Sequence, residues 1–286
     1  MPDMIEENPK TLSRELAARY DGLKCVLRGY GRMAVAFSGG VDSALLAYAA
    51  REALGDDMVC VIAVSPSLGE RQYRDAVAFL ERHRIPFQPI RTRESEDERY
   101  RSNGPNRCYY CKSELFDAIR RDPSLERFPR IAYGANLDDA SDHRPGARAA
   151  SESGVIAPLT EAGYGKRLIR ETARELGLEV WDKPAAPCLA SRIPYFSEVT
   201  PEKLRQIERA ESAVKDAGFH VCRVRHHGEV ARIEVPAADH ERLRDPSVWD
   251  RIDARVRAAG FDRVEIEADG FRSGRLNDIL GGRTRS

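Results

Sequence analysis

Met33-Ala34-Val35-Ala36-Phe37-Ser38-Gly39-Gly40-Val41-Asp42-Ser43 is the stretch whose reading decides the fold. Its five leading apolar residues predict a buried strand, and from Ala44 to Leu54 the pattern becomes helical. Between the two, a pair of glycines without Cβ atoms lets backbone N–H groups approach a phosphate closely. The helix that follows aims its positive N-terminal end at the same anion. A Walker-type loop would end in Gly-Lys-Ser/Thr, which this turn lacks. The stretch therefore predicts a nucleotide site of a different kind, on a strand–turn–helix.

Outward from this turn, strands and helices alternate. Leu12 to Leu27 is helical in pattern, and Met58–Val64 is a continuous apolar run suited to a parallel strand covered on both faces. A helix is expected from Glu70 to about His83, a strand over Phe87–Arg91, a helix over Lys112–Arg121 and a strand over Pro129–Gly134. A further helix over Gly163–Leu176 closes at Gly177, the residue type helices favour just past their ends. This order predicts an α/β fold with a doubly wound parallel sheet and ligands at the carboxyl ends of its strands. Ser38-Gly39-Gly40 sits at such an end, as do Ser65 and the run Gly134-Ala135-Asn136-Leu137-Asp138-Asp139.

Beyond Tyr195 to Thr200 the pattern changes. A helix from Pro201 to Ala217 leads to strands Val221–Arg225 and Val230–Val235, a helix through the 240s and 250s, and a strand Arg263–Glu267. That order suggests a small α+β domain with an antiparallel sheet, so the expected domains are residues 1–196 and 197–286. The charge-dense run Arg91 to Arg101 reads as a solvated or mobile loop.

With 286 residues the chain can bury a sizeable core. Lys+Arg and Asp+Glu balance at 46 each, which gives no global basic field for a nucleic acid and argues against an RNA substrate. The opening residues MPDMIEENPK are polar and acidic, unlike a secretory leader, and no apolar run approaches membrane-spanning length. A cytoplasmic protein without membrane or nucleic-acid partners is expected. Its six cysteines then read as reduced thiols, core residues or metal ligands rather than a disulfide frame.

Cys108 and Cys111, in Pro105-Asn106-Arg107-Cys108-Tyr109-Tyr110-Cys111-Lys112, open a helix. Three positions apart at a helix N-terminus, they can face one ion, and the dipole favours their thiolates. One such pair supplies two ligands, where structural zinc wants four. Thioredoxin-type exchange is also possible, although the pair does not follow a first strand. Cys25 within a helix, Cys60 within an apolar strand and Cys222 at a strand start read as structural, the first two as core residues. Cys188 differs: it lies in Trp181-Asp182-Lys183-Pro184-Ala185-Ala186-Pro187-Cys188-Leu189-Ala190-Ser191-Arg192-Ile193-Pro194-Tyr195, a stiff proline-rich loop with no evident packing role for a thiol. Arg192 could lower the thiol pKa or hold an acidic substrate.

SGGxDS after a strand resembles the PP-loop of the ATP pyrophosphatases. Together SGGVDS, PNRCYYCK, GANLDDxxDHRPG, WDKPAAPCLASRIPY, RVRHHGEVARIEV and GFRSGRLN, from about Ala34 to Asn277, resemble the LarE family of ATP-dependent sulfur transferases. The resemblance implies that ATP activates a carboxylate of pyridinium-3,5-biscarboxylic acid mononucleotide as its acyl-adenylate. A sulfur nucleophile then displaces AMP and leaves a thiocarboxylate, in the making of a nickel-pincer cofactor. On this reading Ser38, Gly39, Gly40 and Ser43 hold pyrophosphate, Asp42 helps hold Mg²⁺, and Asp138 is a second candidate for Mg²⁺ or substrate. Arg223 and Arg225, in a hairpin cluster with His226, His227 and Arg232, suit the mononucleotide phosphate. The two histidines could be metal ligands or ordinary surface residues.

Three matching cysteines, Cys108, Cys111 and Cys188, imply a 4Fe–4S cluster with one iron free to carry a sulfide from an external donor. In the family's sacrificial form the residue matching Cys188 gives up its own sulfur. Arg272–Asn277 could belong to the same phosphate site or to a subunit contact, and the resemblance also implies a homo-oligomer, a hexamer. Two further readings keep the fold: a tRNA-thiolating PP-loop enzyme and a non-enzymatic iron–sulfur carrier.

Overall fold

The computed structural model describes residues 12–141 and 145–271. The chain divides into two units: the described parts of Met1–Val64, Arg71–Thr92 and Lys112–Ala185 form the first, and those of Ser65–Glu70, Arg93–Cys111 and Ala186–Ser286 the second. Both units are discontinuous in sequence, whereas the division expected at 196/197 is contiguous. The short early segments go with the later chain because Leu189 N donates to Ser67 O and Val199 N to Arg101 O.

In the first unit, α1 (Arg14–Tyr30) starts on Ser13, whose hydroxyl accepts from Leu16 N, and ends on Gly31 at φ 70°. Tyr20, Leu23 and Leu27 form its buried stripe. Cys25 is exposed, so the core position expected for it is corrected. Two residues from each leucine, it lies about 200° around the helix from both, on the solvent side.

The sheet takes β1 (Met33–Ala36), β2 (Met58–Val64), β3 (Phe87–Arg91) and β4 (Arg130–Tyr133) in the order β3-β2-β1-β4, all parallel. The helices α2 (Val41–Leu54) and α3 (Glu70–Arg82) lie on its first two crossovers. The chain moves outward from β1 through β2 to β3, then returns to place β4 on the other side of β1. The switch point therefore falls between β1 and β4, where the open α/β fold leaves its ligand crevice. Ala36 pairs with Tyr133 in register, so Ser38-Gly39-Gly40 and Gly134–Asp139 leave neighbouring strand ends.

The charge-dense run is ordered, which corrects the loop expected there. Glu94–Glu96 forms a 3-10 turn and α4 (Glu98–Arg101) follows, capped by the Asp97 carboxylate on Arg99 N. Glu94 and Tyr100 from this run are buried. The helix α5 (Arg107–Arg121) begins in the second unit with Arg107–Cys111 and continues in the first. After β4 come α6 (Pro145–Glu152), α7 (Pro158–Glu161) and α8 (Lys166–Glu175).

In the second unit, α9 (Pro201–Asp216) carries proline at its first position and a Thr200 cap. Strands β5 (Arg223–His227) and β6 (Val230–Glu234) form an antiparallel hairpin turning at Gly228, φ 66°. α10 (His240–Arg244) and α11 (Pro246–Ala258) separate β6 from β7 (Arg263–Ile266). The single helix expected there is two, because the Asp245 carboxylate caps a new start at Pro246. β7 pairs with β6 in parallel, so the sheet is mixed rather than antiparallel. A crossover carrying two helices returns the chain in the same direction, which a tight hairpin cannot do. Phe219, Val224, Ile233, Leu243, Ile252 and Val256 fill the core beneath it.

Candidate active site

The nucleotide turn lies wholly in the first unit. Gly39 adopts φ 73°, a left-handed conformation that favours glycine, and an added Cβ would stand 3.2 Å from Ala76 Cβ. Gly40 is the extended N-cap of α2 and has no side chain to cap it, so among the described residues no N-cap side chain competes with an anion for the first N–H groups. Ser43 Oγ donates to Gly40 O at 3.1 Å and accepts from Ser38 N at 3.3 Å. The Ser38 and Ser43 hydroxyls are 3.1 Å apart, so the two serines brace the turn. Gln72 Nε2 donates to Ser38 O from α3.

The Gly134–Asp139 run meets the start of α2. Asn136 Nδ2 donates to Asp42 Oδ2 at 3.2 Å, and Asp139 Oδ2 accepts from Asn136 N. Burial and the neighbouring Asp139 push the Asp42 carboxyl above its ordinary range, partly offset by Asn136, Lys166 and Arg170. Asp138 is placed differently: its Oδ2 accepts from Lys166 N at 2.6 Å, so it caps α8. The carboxylate coupled to Asp42 is thus Asp139, one residue from the position singled out in the sequence. The same motif held both, and only the path of the loop separates them. Ser65 follows β2 and its hydroxyl lies 2.8 Å from Ser67 Oγ.

The cysteine pocket belongs to the second unit. Cys108 is exposed, Cys111 and Cys188 are half-buried, and all three are free thiols. Cys111 and Cys188 pack against Tyr100, Leu189 and Ile193. Burial, then Glu94, Cys188 and Cys108, push the Cys111 thiol well above its usual value. The thiolate expected from the helix dipole is therefore corrected for Cys111, because desolvation outweighs the dipole. Ser67 Oγ donates to Glu94 Oε1, while Glu94 Oε2 is buried without a hydrogen-bond partner among the described residues and Tyr100 is buried beside it. Neither residue stood out in the sequence, since both lay in what read as a solvated run.

Arg192 makes a bidentate pair with Glu211, Nε at 2.7 Å and Nη2 at 3.1 Å. Its Nη1 holds Pro187 O and Cys188 O. All three guanidinium nitrogens are engaged within the fold, and Nη1 ties Arg192 to the Cys188 main chain. Arg225 is likewise paired, bidentate on Glu234 and bonded to Ser191 O at 2.8 Å. Arg223 differs: among the described residues it has no ion pair, and it lies 4.5 Å from the Phe271 ring centroid. Burial and the charges of Arg192 and Arg225 pull its pKa down to about 10. His226 Nε2 meets Gln206 Oε1 at 2.9 Å, which occupies one ring nitrogen within the fold. His227 is exposed, and Arg232 pairs with Glu265.

Among the described residues no three His, Cys, Asp or Glu side chains close on a single metal ion. Cys108, Cys111 and Cys188 are free thiols near enough for Cys108 and Cys188 to act on Cys111, and cysteine thiolates are the ligand type of a 4Fe–4S cluster. Asp42 and Asp139 fit Mg²⁺, which is held by one or two carboxylates together with substrate phosphates.

A family model described as NAD synthase matches residues 17–102, which contain the nucleotide turn. The pyridinium-3,5-bisthiocarboxylic acid mononucleotide synthase of Lactiplantibacillus plantarum is 34% identical over 93% of this chain and 96% of its own. The chain belongs to the LarE family of ATP-dependent sulfur transferases. An uncharacterized Synechocystis protein is 38% identical over 93% of this chain and 99% of its own. An uncharacterized protein of Methanocaldococcus jannaschii is 26% identical over 85% of this chain and 91% of its own. The LarE chain described here has no helix, among the described residues, long and apolar enough to cross a membrane.

Proposed function

We propose that this LarE-family chain adenylates a carboxylate of pyridinium-3,5-biscarboxylic acid mononucleotide and replaces AMP with sulfur from its cysteine pocket. The observation that carries the reading is the uncapped N-terminus of α2 beside the coupled carboxylates of Asp42 and Asp139. A helix N-terminus suited to phosphate and two neighbouring acids, whose repulsion Lys166 and Arg170 offset only in part, support a site for Mg²⁺ and ATP. When bound, Mg²⁺ neutralises phosphate charge and makes pyrophosphate a better leaving group. The substrate carboxylate oxygen attacks the α-phosphorus and pyrophosphate departs with the electron pair. Gly39, Gly40, Ser38 and Ser43 receive it, with Ser65 and Asp138 as supporting positions.

A sulfur nucleophile then adds to the acyl carbon and AMP leaves, giving the thiocarboxylate. Arg223, which has no ion pair among the described residues, takes the mononucleotide phosphate, and Arg225, held by Glu234 and Ser191 O, positions the strand beside it. Cys108, Cys111 and Cys188 would hold a 4Fe–4S cluster, which when bound accepts and delivers sulfide from a donor. The three free thiols of one pocket support this delivery over sacrifice of Cys188 alone. The active form is a cytoplasmic homo-oligomer that needs no nucleic acid.

The test is anaerobic purification with iron analysis, a visible spectrum and a turnover assay. The expected result is a coloured protein that releases AMP and pyrophosphate only with the pyridinium substrate and keeps Cys188 intact. A colourless protein whose Cys188 peptide loses the elements of hydrogen sulfide after turnover assigns sacrificial transfer. Loss of substrate-dependent AMP release refutes the enzyme reading altogether.

A further inference from the structure

Phe196 is 53% exposed, one of two large hydrophobic side chains that face solvent among the described residues. Its φ is 67°, in the left-handed region that favours glycine and is unfavourable for a bulky side chain. Hydrogen bonds hold the backbone there: Phe196 N donates to Asn103 O at 3.1 Å, and Asn103 Nδ2 donates to Ile193 O at 3.3 Å and to Pro194 O at 2.7 Å. Asn103 is itself buried and left-handed, at φ 55°. The ring centroids of Tyr195 and Phe196 are 6.3 Å apart. Burial pushes the Tyr195 phenol up, Arg107 pulls it back and Cys108 adds to the rise, so this aromatic pair stands beside the exposed Cys108 thiol. In the same loop Ser191 O accepts from Arg225, on the strand that carries Arg223. All of these residues belong to the second unit.

A single exposed apolar residue is ordinary, but one held in water at an unfavourable backbone angle points to a contact outside the fold. The chemistry of the ring selects that contact. An aromatic face is apolar and electronegative, so it draws a flat ring that carries positive charge. We propose that Phe196 is the platform on which the pyridinium ring of the mononucleotide stacks, beside the cysteine pocket. The inference rests on the sulfur-transfer reading and adds the residue that recognises the ring of its substrate. With phosphate on Arg223 and the ring on Phe196, the mononucleotide has two separate holds within one unit. Stacking makes and breaks no bond, and no electron moves.

The test is calorimetric titration of the full chain with pyridinium-3,5-biscarboxylic acid mononucleotide and, as a ring-free control, ribose 5-phosphate. Phe196→Gly is expected to weaken the mononucleotide by about tenfold and ribose 5-phosphate by no more than about twofold. Glycine adopts a left-handed angle freely, so Phe196→Gly is also expected to keep a melting temperature close to that of the wild type. Phe196→Trp is expected to retain affinity, and its added indole to be quenched on binding beyond any change in Trp181 and Trp249 of the wild type. Mononucleotide affinity unchanged in Phe196→Gly overturns the proposal, and an altered oligomeric state in that variant then assigns the ring to a contact between copies. Equal weakening of ribose 5-phosphate also overturns it, because the residue then shapes the loop and meets no ring. If Phe196→Gly does not fold, Phe196→Trp decides: quenching by the mononucleotide supports the proposal and its absence overturns it. A wild type that does not bind the mononucleotide refutes the sulfur-transfer reading and this inference with it. A wild type that binds it and is matched by Phe196→Gly sinks this inference alone.

Discussion

Glu211 on α9 clamps Arg192 through two hydrogen bonds, at 2.7 and 3.1 Å, with the paired side chains only 3% and 7% exposed. A third bond, from Val224 N to Glu211 Oε1, ties the same carboxylate to β5. One acid thus fixes both the cysteine loop and the strand carrying the arginines.

Removing that acid leaves a buried guanidinium without its counter-charge. Glu211→Ala is expected to lower unfolding stability by about 3–5 kcal/mol, against a smaller loss for the double variant Glu211→Ala with Arg192→Met. Urea unfolding of the four proteins of the cycle reads the difference. A loss in the double variant equal to the sum of the two single losses would show that the pair is not coupled.

Arg223 is the arginine left over once Glu211 and Glu234 have taken their partners. Its pKa, pulled down to about 10, means that the fold disfavours the charged form. The sign follows: the charge opposes stability in full below the folded pKa, and the penalty fades as pH rises through that value towards the ordinary arginine range. Arg223→Met is expected to melt no lower than the wild type at neutral pH. Inorganic phosphate is expected to raise the melting temperature of the wild type and not of the variant. Equal phosphate stabilisation of both would remove Arg223 from the phosphate site.

Gly134 tests the meeting of β4 with α2. A Cβ there would stand 2.8 Å from Ser43 N and 3.0 Å from the Asp42 carbonyl carbon, both backbone atoms that cannot swing aside. Gly134→Ala is expected to displace the start of α2, costing about 1–3 kcal/mol and slowing AMP release by about a hundredfold. Steady-state kinetics beside a melting curve checks both. Wild-type turnover would mean that the turn tolerates the shift.

Asp42 should show a trade between stability and activity. Its raised pKa makes the ionised carboxylate unfavourable in the fold, so stability is fullest at low pH and falls as pH rises through the folded pKa. Asp42→Asn is therefore expected to be the more stable protein above that pH and to lose the advantage in acid. Adding Mg²⁺ and ATP should stabilise the wild type only, and AMP release by the variant should vanish. Urea midpoints between acid and neutral pH, with and without Mg²⁺ and ATP, give the answer.

Much of the fold was legible along the chain. β2 and β3 fall on the residues expected, because a continuous apolar run such as Met58–Val64 has little alternative to a covered parallel strand. The glycine pair and the serines around Asp42 announced the phosphate turn, since their use depends on local backbone geometry. The α10–α11 break was less visible, because Asp245 and Pro246 act as cap and first turn only where the chain is already helical.

The amino-acid sequence by itself determined the α/β class, the phosphate turn and the presence of six unpaired cysteines, because periodicity, glycine placement and thiol chemistry are local properties. Tertiary structure alone decided which charges are spoken for. Asp139 rather than Asp138 is coupled to Asp42, Arg192 and Arg225 are closed by glutamates, and Arg107 and Arg223 are left without carboxylates among the described residues. A charge acquires its partner through contacts that bring distant residues together, and burial then sets how strongly the two depend on each other.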